Sequence, residues 1–538
     1  MIELLPTKST FTPGELVEIE IRGDAPRGKM SVWYLGDSVL ELDYDGSATI
    51  ALPGLGIGSY GIELSDGTST VRTAVQVAEQ SAARLRYGFV VDYSPNRDLT
   101  GVSDTVRRLH LTGVQFYDWA YRHAELMGGG ENYTDALAQP ISLATVRELV
   151  QVVQQAGAKA LGYAAVYAVG PDEWPAWQHQ ALLNGAQAPY GLGDFLFLVD
   201  PAAPDWLEHF VGDLTAAVDS VGFDGFHLDQ YGYPKMARRP DGDIVDVAQS
   251  FTTMIDTVRS GLPEATLVFN NVNDFPTWST GSSPQDAVYI EVWSPQETLG
   301  SLASVVTRAR TVAGSKPIVI AAYQHVYDSA PTAESDRATA LTMAALYSHG
   351  ATHLLAGEAD RILVDPYYVR NHPVEPSTAE LLKRWYDFLV EHDELLLDTS
   401  IVDVTGATVG AYNDDTDVTF ESAIVGETGL PGEIWRRVTE SNGRRIIHLI
   451  NLVGQVDSLW DAPRNPTADV GAGRVKIRRI PGCVPRVQVA DPDGLGRLID
   501  VEVTVDGEFA FAVLPPLAVW QLVLIDPTSR QGEDNDNR

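Results

Sequence analysis

The chain has 538 residues, 44% of them hydrophobic, so it is long enough for several domains and a large buried core. Its formal net charge of −35 excludes the basic footprint that nucleic acid or an anionic membrane surface requires, and fits a neutral or cationic ligand. Cys483 stands alone, so neither an intrachain disulfide nor a cysteine metal site can form.

The first segment, Met-Ile-Glu-Leu-Leu-Pro, lacks a basic n-region and a long apolar stretch. As written, that predicts a cytoplasmic protein, or a secreted one whose leader has been removed. No apolar run is long enough for a membrane span. Residues 1–80 alternate with period two at Val17-Glu18-Ile19-Glu20-Ile21, Val32-Trp33-Tyr34 and Ala74-Val75-Gln76-Val77, with Gly and Pro between. That pattern predicts a β-sandwich followed by a linker at 79–83.

From Arg84 the texture changes. Apolar strand-like runs at 87–93, 113–119, 159–167, 225–229, 266–271, 287–293, 317–323 and 352–357 are separated by helical patterns, among them 142–155, 206–220 and 332–349. Eight βα units over 84–398 predict a (β/α)8 barrel; a doubly wound sheet would want a Gly-rich phosphate loop after its first strand, and none is present. A helix at 378–397 closes this region. Residues 399–527 return to alternation, as in Arg445-Ile446-Ile447-His448-Leu449-Ile450 and Ala518-Val519-Trp520-Gln521-Leu522-Val523, and predict a second β-sandwich. The stretch 528–538 is charged and predicts a disordered acidic tail.

Chemistry in such a barrel belongs at the C-terminal strand ends. Those ends carry Tyr117, Asp118, Trp119 and nearby His123; Tyr163; His227, Asp229 and Gln230; Asn270 and Asn271; Glu291 and Trp293; Tyr323; and Glu358 and Asp360. Carboxylates, amides and aromatics dominate this rim and Lys is absent. Amides and carboxylates match sugar hydroxyls, and rings cover sugar C–H faces. An anionic substrate would call for Arg and Lys. Glycoside hydrolysis needs two carboxyl groups, and Asp229 with Glu291 form the natural pair. Glu291 follows Val288-Tyr289-Ile290, an apolar setting that would hold its proton near neutral pH. The His residues match no ligand motif, so no metal or other cofactor is expected. The run Asp241-Gly242-Asp243-Ile244-Val245-Asp246 could bind calcium but reads better as a solvated loop.

The strings Phe116-Tyr117-Asp118-Trp119-x-x-Arg122-His123, Gly222-Phe223-Asp224-Gly225-Phe226-His227-Leu228-Asp229-Gln230-Tyr231-Gly232, Tyr289-Ile290-Glu291-Val292-Trp293, Ala321-Ala322-Tyr323 and Gly357-Glu358-Ala359-Asp360 together resemble glycoside hydrolase family 66, the family of endo-dextranases and cycloisomaltooligosaccharide glucanotransferases. The resemblance implies an immunoglobulin-like N-terminal domain, a catalytic barrel and a C-terminal β-sandwich. It implies a retaining attack on α-1,6-linked glucan, dextran or isomaltooligosaccharides, with Asp229 as nucleophile and Glu291 as acid/base. Tyr117, Asp118, Trp119, His123, Tyr163, His227, Gln230, Asn271, Trp293, Tyr323, Glu358 and Asp360 are the expected sugar contacts. The family's cyclising members carry a carbohydrate-binding module late in the barrel, for which the stretch after Tyr323 has no room. A dextranase is therefore expected, with a cyclising or transglycosylating enzyme, or a non-catalytic glucan-binding protein, as alternatives.

Overall fold

The computed structural model describes residues 2–79, 84–410, 413 and 415–528. The expected linker, from 80 to 83, and the expected tail, beyond 528, lie outside the described residues.

Eight parallel strands form the central sheet: β1 (Tyr87–Val90), β2 (Gly113–Phe116), β3 (Lys159–Ala165), β4 (Gly225–Asp229), β5 (Thr266–Asn270), β6 (Ala287–Glu291), β7 (Ile318–Ala321) and β8 (Thr352–Leu354), each paired with its neighbour in sequence order. Their residues are almost all buried because helices cover the outside and side chains fill the inside. The sheet curls until its edges meet. Thr352 Oγ1 donates to Leu85 O at 2.6 Å, and Glu358 N–H donates to Phe89 O at 2.6 Å. The result is a nearly closed barrel of the (β/α)8 kind.

The helices follow the strands in turn: α1 (Thr100–Arg108), α2 (Leu143–Gln155), α3 (Pro204–Val221), α4 (Val247–Gly261), α5 (Thr277–Thr280), α6 (Leu299–Ala313), α7 (Thr332–Ser348) and α8 (Pro376–Glu391). α3 shows why they form where they do. Pro204 opens it, Gly222 closes it at φ 90°, and Trp206, Phe210, Leu214, Ala217 and Val221 recur on one buried face. Each large side chain so buried contributes roughly 1.5–3 kcal/mol. α7 differs. It is buried nearly all round from Ala338 to Ser348, because it lies between the barrel and the C-terminal sheets, where Tyr347 meets Trp520.

Antiparallel sheets make up the rest. Near the N-terminus, strands Glu3–Pro6, Val17–Arg22 and Thr49–Leu52 form one sheet, and Gly28–Tyr34, Asp37–Tyr44, Gly58–Ser65 and Thr70–Val77 form another; Leu4, Ile19, Met30, Val32, Ile62 and Val75 fill the core between them. After α8, two further sheets share a core built on Val418, Ile447, Leu449, Val475, Val487 and Val523. The N-terminal sheets join the barrel through buried charge. Arg86, 1% exposed, donates from Nη1 to Gln76 Oε1 at 3.0 Å, and Lys383 on α8 bridges Arg72 O and Asp387, both at 2.7 Å.

The run 241–246 leads into α4. Asp246 caps α4 by accepting from Ala248 N–H and Gln249 N–H, while Asp241 and Asp243 pair with Arg239.

Gly225 opens β4 hard against β5: a Cβ there would lie 1.9 Å from Thr266 O. Backbone must shift to admit it. Gly225→Ala is expected to destabilise the fold by about 1–3 kcal/mol or more in urea denaturation, and an unchanged midpoint would contradict this packing.

Candidate active site

Parity along the strands selects what enters the barrel. In β4, residues 225, 227 and 229 point inward and Phe226 and Leu228 point to the helices. Leu228 pairs with Phe269, so Asp229 and Asn270 end their strands side by side. Glu291 ends β6, the next strand on.

One amide joins the two acids. Asn270 Nδ2 donates to Asp229 Oδ1 at 2.7 Å and to Glu291 Oε2 at 2.9 Å. The two bridged oxygens therefore lie no farther apart than the two bonds end to end, about 5.6 Å. Tyr163 Oη donates to the other Asp229 oxygen at 2.7 Å. Below the acids sits an aromatic floor. His227 is 2% exposed, lies edge-on to Tyr289 with centroids 4.7 Å apart, and shares a 3.3 Å hydrogen bond with Tyr87 Oη. Burial lowers its pKa to about 3, so the floor is uncharged.

Above this floor opens a cleft of about 260 Å³. Tyr117, Asp118, His123, Tyr163, Gln230, Trp293 and Tyr323 line it, as expected from their strand ends, with His227 beneath. None of the described residues lining it is Lys or Arg. With no cation to offset desolvation, both acids hold their protons more tightly than free carboxyls do. Burial raises Asp229 to about 6 against the opposing pull of its bonds from Asn270 and Tyr163. Burial, and then the nearby Asp229 charge, raise Glu291 to about 7. Both carboxyls have hydrogen bonds that favour the ionised form, Asp229 from Asn270 and Tyr163 and Glu291 from Asn270, Tyr323 and Trp293; what sets Glu291 apart is the like charge of Asp229. Burial also raises Asp118, which sits at φ 47° on the wall. Burial lowers His123 to about 4, leaving it neutral.

Four expected contacts are elsewhere. Trp119 is fully buried under the wall, donating from Nε1 to Tyr163 O at 3.1 Å and packing on Phe223. The left-handed backbone at Asp118 breaks the alternation and turns the next ring inward under the loop. Asn271 is fully buried and points away from the barrel axis, holding Phe269 O and Tyr289 O through Nδ2 and Thr280 Oγ1 through Oδ1. Glu358 accepts from Val91 N–H and Asp92 N–H at 2.6 and 3.1 Å and pairs with Arg97, so it fastens the barrel seam. Asp360 is bound to Thr105 Oγ1 at 3.1 Å and Arg108 at 3.2 Å on α1. Gln230 lines the cleft, but its amide is spent on Asn270 O, Phe275 O and Gly232 N–H.

Other lining residues escaped the strand-end reading. Tyr368, from the loop after β8, stacks on Tyr117 with centroids 4.2 Å apart. Tyr231, Tyr233 and Phe195 come from loops too. Asn270 was on the rim, and strand parity with Asp229 is the signal that picks it over Asn271.

Residues 7–524 match Glycosyl hydrolase family 66, and the chain belongs to that family. It is 23% identical over 401 residues to a cycloisomaltooligosaccharide glucanotransferase of Niallia circulans (66% of this chain, 41% of that protein), and 23% identical over 451 residues to a dextranase of Streptococcus salivarius (71% and 54%). The chain thus spans about half the length, or less, of these curated relatives. The crystal structure of a Paenibacillus sp. cycloisomaltooligosaccharide glucanotransferase complexed with cycloisomaltoheptaose superposes with TM-score 0.87 at 19% identity, covering 97% of this chain and 99% of that one. An α-amylase from Geobacillus thermoleovorans shares the fold more loosely, with TM-score 0.54 at 13% identity over 83% of this chain and 99% of its own.

The raised pKa of Glu291 has a stability consequence. Native Glu291 binds its proton up to about 7, against an ordinary value of 4.5, so the charged form costs nothing below that lower value. The cost grows as pH climbs from the lower value toward the folded pKa and is complete above it. Glu291→Gln is therefore expected to stabilise the protein by about 1–2 kcal/mol at pH 8 and by little at pH 4.5. Thermal melts at the two pH values check this; an equal gain at both would contradict it.

Proposed function

We propose that this protein is a retaining glycoside hydrolase that cleaves α-1,6-glucosidic bonds of dextran or isomaltooligosaccharides. One observation carries the reading: a single amide bridges the Asp229 and Glu291 carboxyls, so the bridged oxygens lie at most about 5.6 Å apart, compatible with the roughly 5–5.5 Å spacing of retaining enzymes and short of the roughly 6.5–9.5 Å an inverting enzyme needs for its water.

The chemistry follows from the proton's place. Ionised Asp229 attacks the anomeric carbon, forming the C1–Oδ bond. Protonated Glu291 gives its proton to the departing O6 as the C1–O6 bond breaks. Glu291, now a carboxylate, takes a proton from water, whose oxygen displaces Asp229 from C1. Tyr163 and Asn270 hold Asp229 ionised and aimed. Tyr117, Trp293, Tyr323 and Tyr368 offer rings for sugar C–H faces, and Asp118 offers a carboxyl for hydroxyls.

The α-1,6 preference and the hydrolytic outcome rest on the family and its named relatives. Hydrolysis is kept as the first reading on the short stretch between β7 and α7, residues 322–331, which holds only the helix Val326–Ser329 and leaves no room for the module that the resemblance assigns to cyclising members; the cyclising relative's solved chain is nonetheless covered over 99% of its length. The TM-score of 0.87 to a cyclising relative keeps transglycosylation as the second reading. Residues 1–80 are inferred to be an immunoglobulin-like domain, 84–398 the catalytic barrel and 399–527 a β-sandwich; the cores between paired antiparallel sheets support this division.

Asp229→Asn is expected to lower kcat on dextran at least about 10³-fold without loss of folding, and normal digestion by that variant would end the proposal. Product chromatography should show linear isomaltooligosaccharides; cyclic products would favour the second reading. The pH profile of kcat/KM should be a narrow bell. Its acid limb marks protonation of Asp229 near 6 and its basic limb loss of the Glu291 proton near 7. A plateau from pH 4 to 9 would contradict this proton assignment.

A further inference from the structure

A loop of the C-terminal sheets reaches the catalytic end of the barrel. Residues 455–464 leave the strand Arg444–Asn451 and touch the two loops that follow β6 and β7. Trp460, 7% exposed, donates from Nε1 to Gln296 O at 2.7 Å and from its backbone N–H to Glu297 O at 3.1 Å. Leu299 N–H donates to Ser458 O at 2.8 Å. Asp461 accepts from Val326 N–H at 2.9 Å and pairs with His325 Nδ1 at 2.9 Å. Arg337 on α7 donates to Arg464 O at 2.7 Å, closing the clasp from the far side.

Both captured loops begin at the cleft. Gln296 and Glu297 follow Glu291 and Trp293, and His325 and Val326 follow Tyr323. Trp293 and Tyr323 pack on each other with centroids 5.8 Å apart. Gln296 N–H bonds back to Trp293 O at 2.7 Å, so the Trp460 anchor is one hydrogen bond from the cleft wall.

We propose that Trp460 and Asp461 are positioning residues for the leaving-group side of the cleft, through which the C-terminal sheets set the placement of Trp293, Tyr323 and the acid Glu291. This rests on the roles given to Asp229 and Glu291 above. The physical ground is that the β6 and β7 loops are each fastened at their middle by main-chain and carboxylate bonds to one external segment. Loosening that segment frees both loops together, and a displacement of about 1 Å at a reacting group costs up to about 100-fold in rate. The Asp229 side of the cleft is fastened independently, by Tyr163 and by Gln230. The clasp should therefore govern protonation and leaving-sugar contacts, and leave the attacking carboxylate in place.

The test compares two substrates in the full chain. Dextran needs protonation of its leaving oxygen; from α-isomaltosyl fluoride a fluoride ion departs without an acid, and no sugar leaves. Trp460→Phe, which keeps the ring and deletes the Nε1 bond, and Asp461→Ala, which deletes the other anchor, are each expected to lower kcat/KM on dextran about tenfold. On the fluoride both should stay within about twofold of the parent. An equal fall on both substrates, or no fall on dextran in a folded variant, would overturn the proposal. If one variant fails to fold, the other carries the comparison. An Asp229→Asn protein that still digests dextran would instead remove the assignment on which this rests, so the two failures are distinguishable.

Discussion

The bridge from Asn270 Nδ2 to both acids is the constraint on which the site depends. Two carboxyl groups buried close together in a cleft without Lys or Arg cannot both ionise cheaply, since each charge is desolvated and each repels the other. A donor shared between them fixes their separation. Each acid has a further bond, Asp229 from Tyr163 and Glu291 from Tyr323, and the Asp229 charge raises the pKa of Glu291. The proton is left on Glu291. Division of labour between two similar side chains thus follows from the surroundings rather than from the residue types.

The scaffold serves that arrangement by separating tasks between its two ends. Barrel interiors are filled, and here Tyr87, His227 and Tyr289 close the interior directly below the acids, so the cleft has a dry, neutral floor. Buried charge is concentrated where it holds parts together. Arg86 joins the N-terminal sheets to the start of the barrel, Lys383 and Asp387 join them to α8, and Arg97 with Glu358 fastens the seam between the last strand and the first. Asp387 with Lys383 and Arg97 with Glu358 are matched pairs, while Arg86 is held by Gln76 Oε1 and His110 O. The two catalytic candidates and Asp118 are carboxyls whose pKa burial raises, in a cleft whose described lining residues include no Lys or Arg.

The eight strand runs were legible because fully buried parallel strands read as continuous apolar segments, and each recurs in the structure at its expected place. Helix α7 was legible in extent but not in role. Its all-round burial reflects the C-terminal sheet on its outer side, a long-range fact. Strand ends located the site, and strand parity could have sharpened it, since Asn270 shares the inward face with Asp229 while Asn271 cannot. Parity stops where the strand stops. Trp119 lies beyond a left-handed Asp118, and its direction depends on that one backbone angle. Glu358 and Asp360 looked like rim ligands, yet both found cations on α1 or in the loop before it, and such pairings between distant segments leave no local trace. Tyr368 was hidden for the same reason: a loop tyrosine becomes a cleft wall only when the barrel closes and brings it onto Tyr117.

The central claim is that the two acids lie close enough for direct attack by Asp229. Proton NMR of the first seconds of digestion tests it most directly by reporting the anomer of the newly freed reducing end. Direct attack followed by hydrolysis inverts the centre twice, so the account predicts that the α-anomer appears first and mutarotates toward equilibrium. Initial release of the β-anomer would mean a single displacement by water and would contradict it.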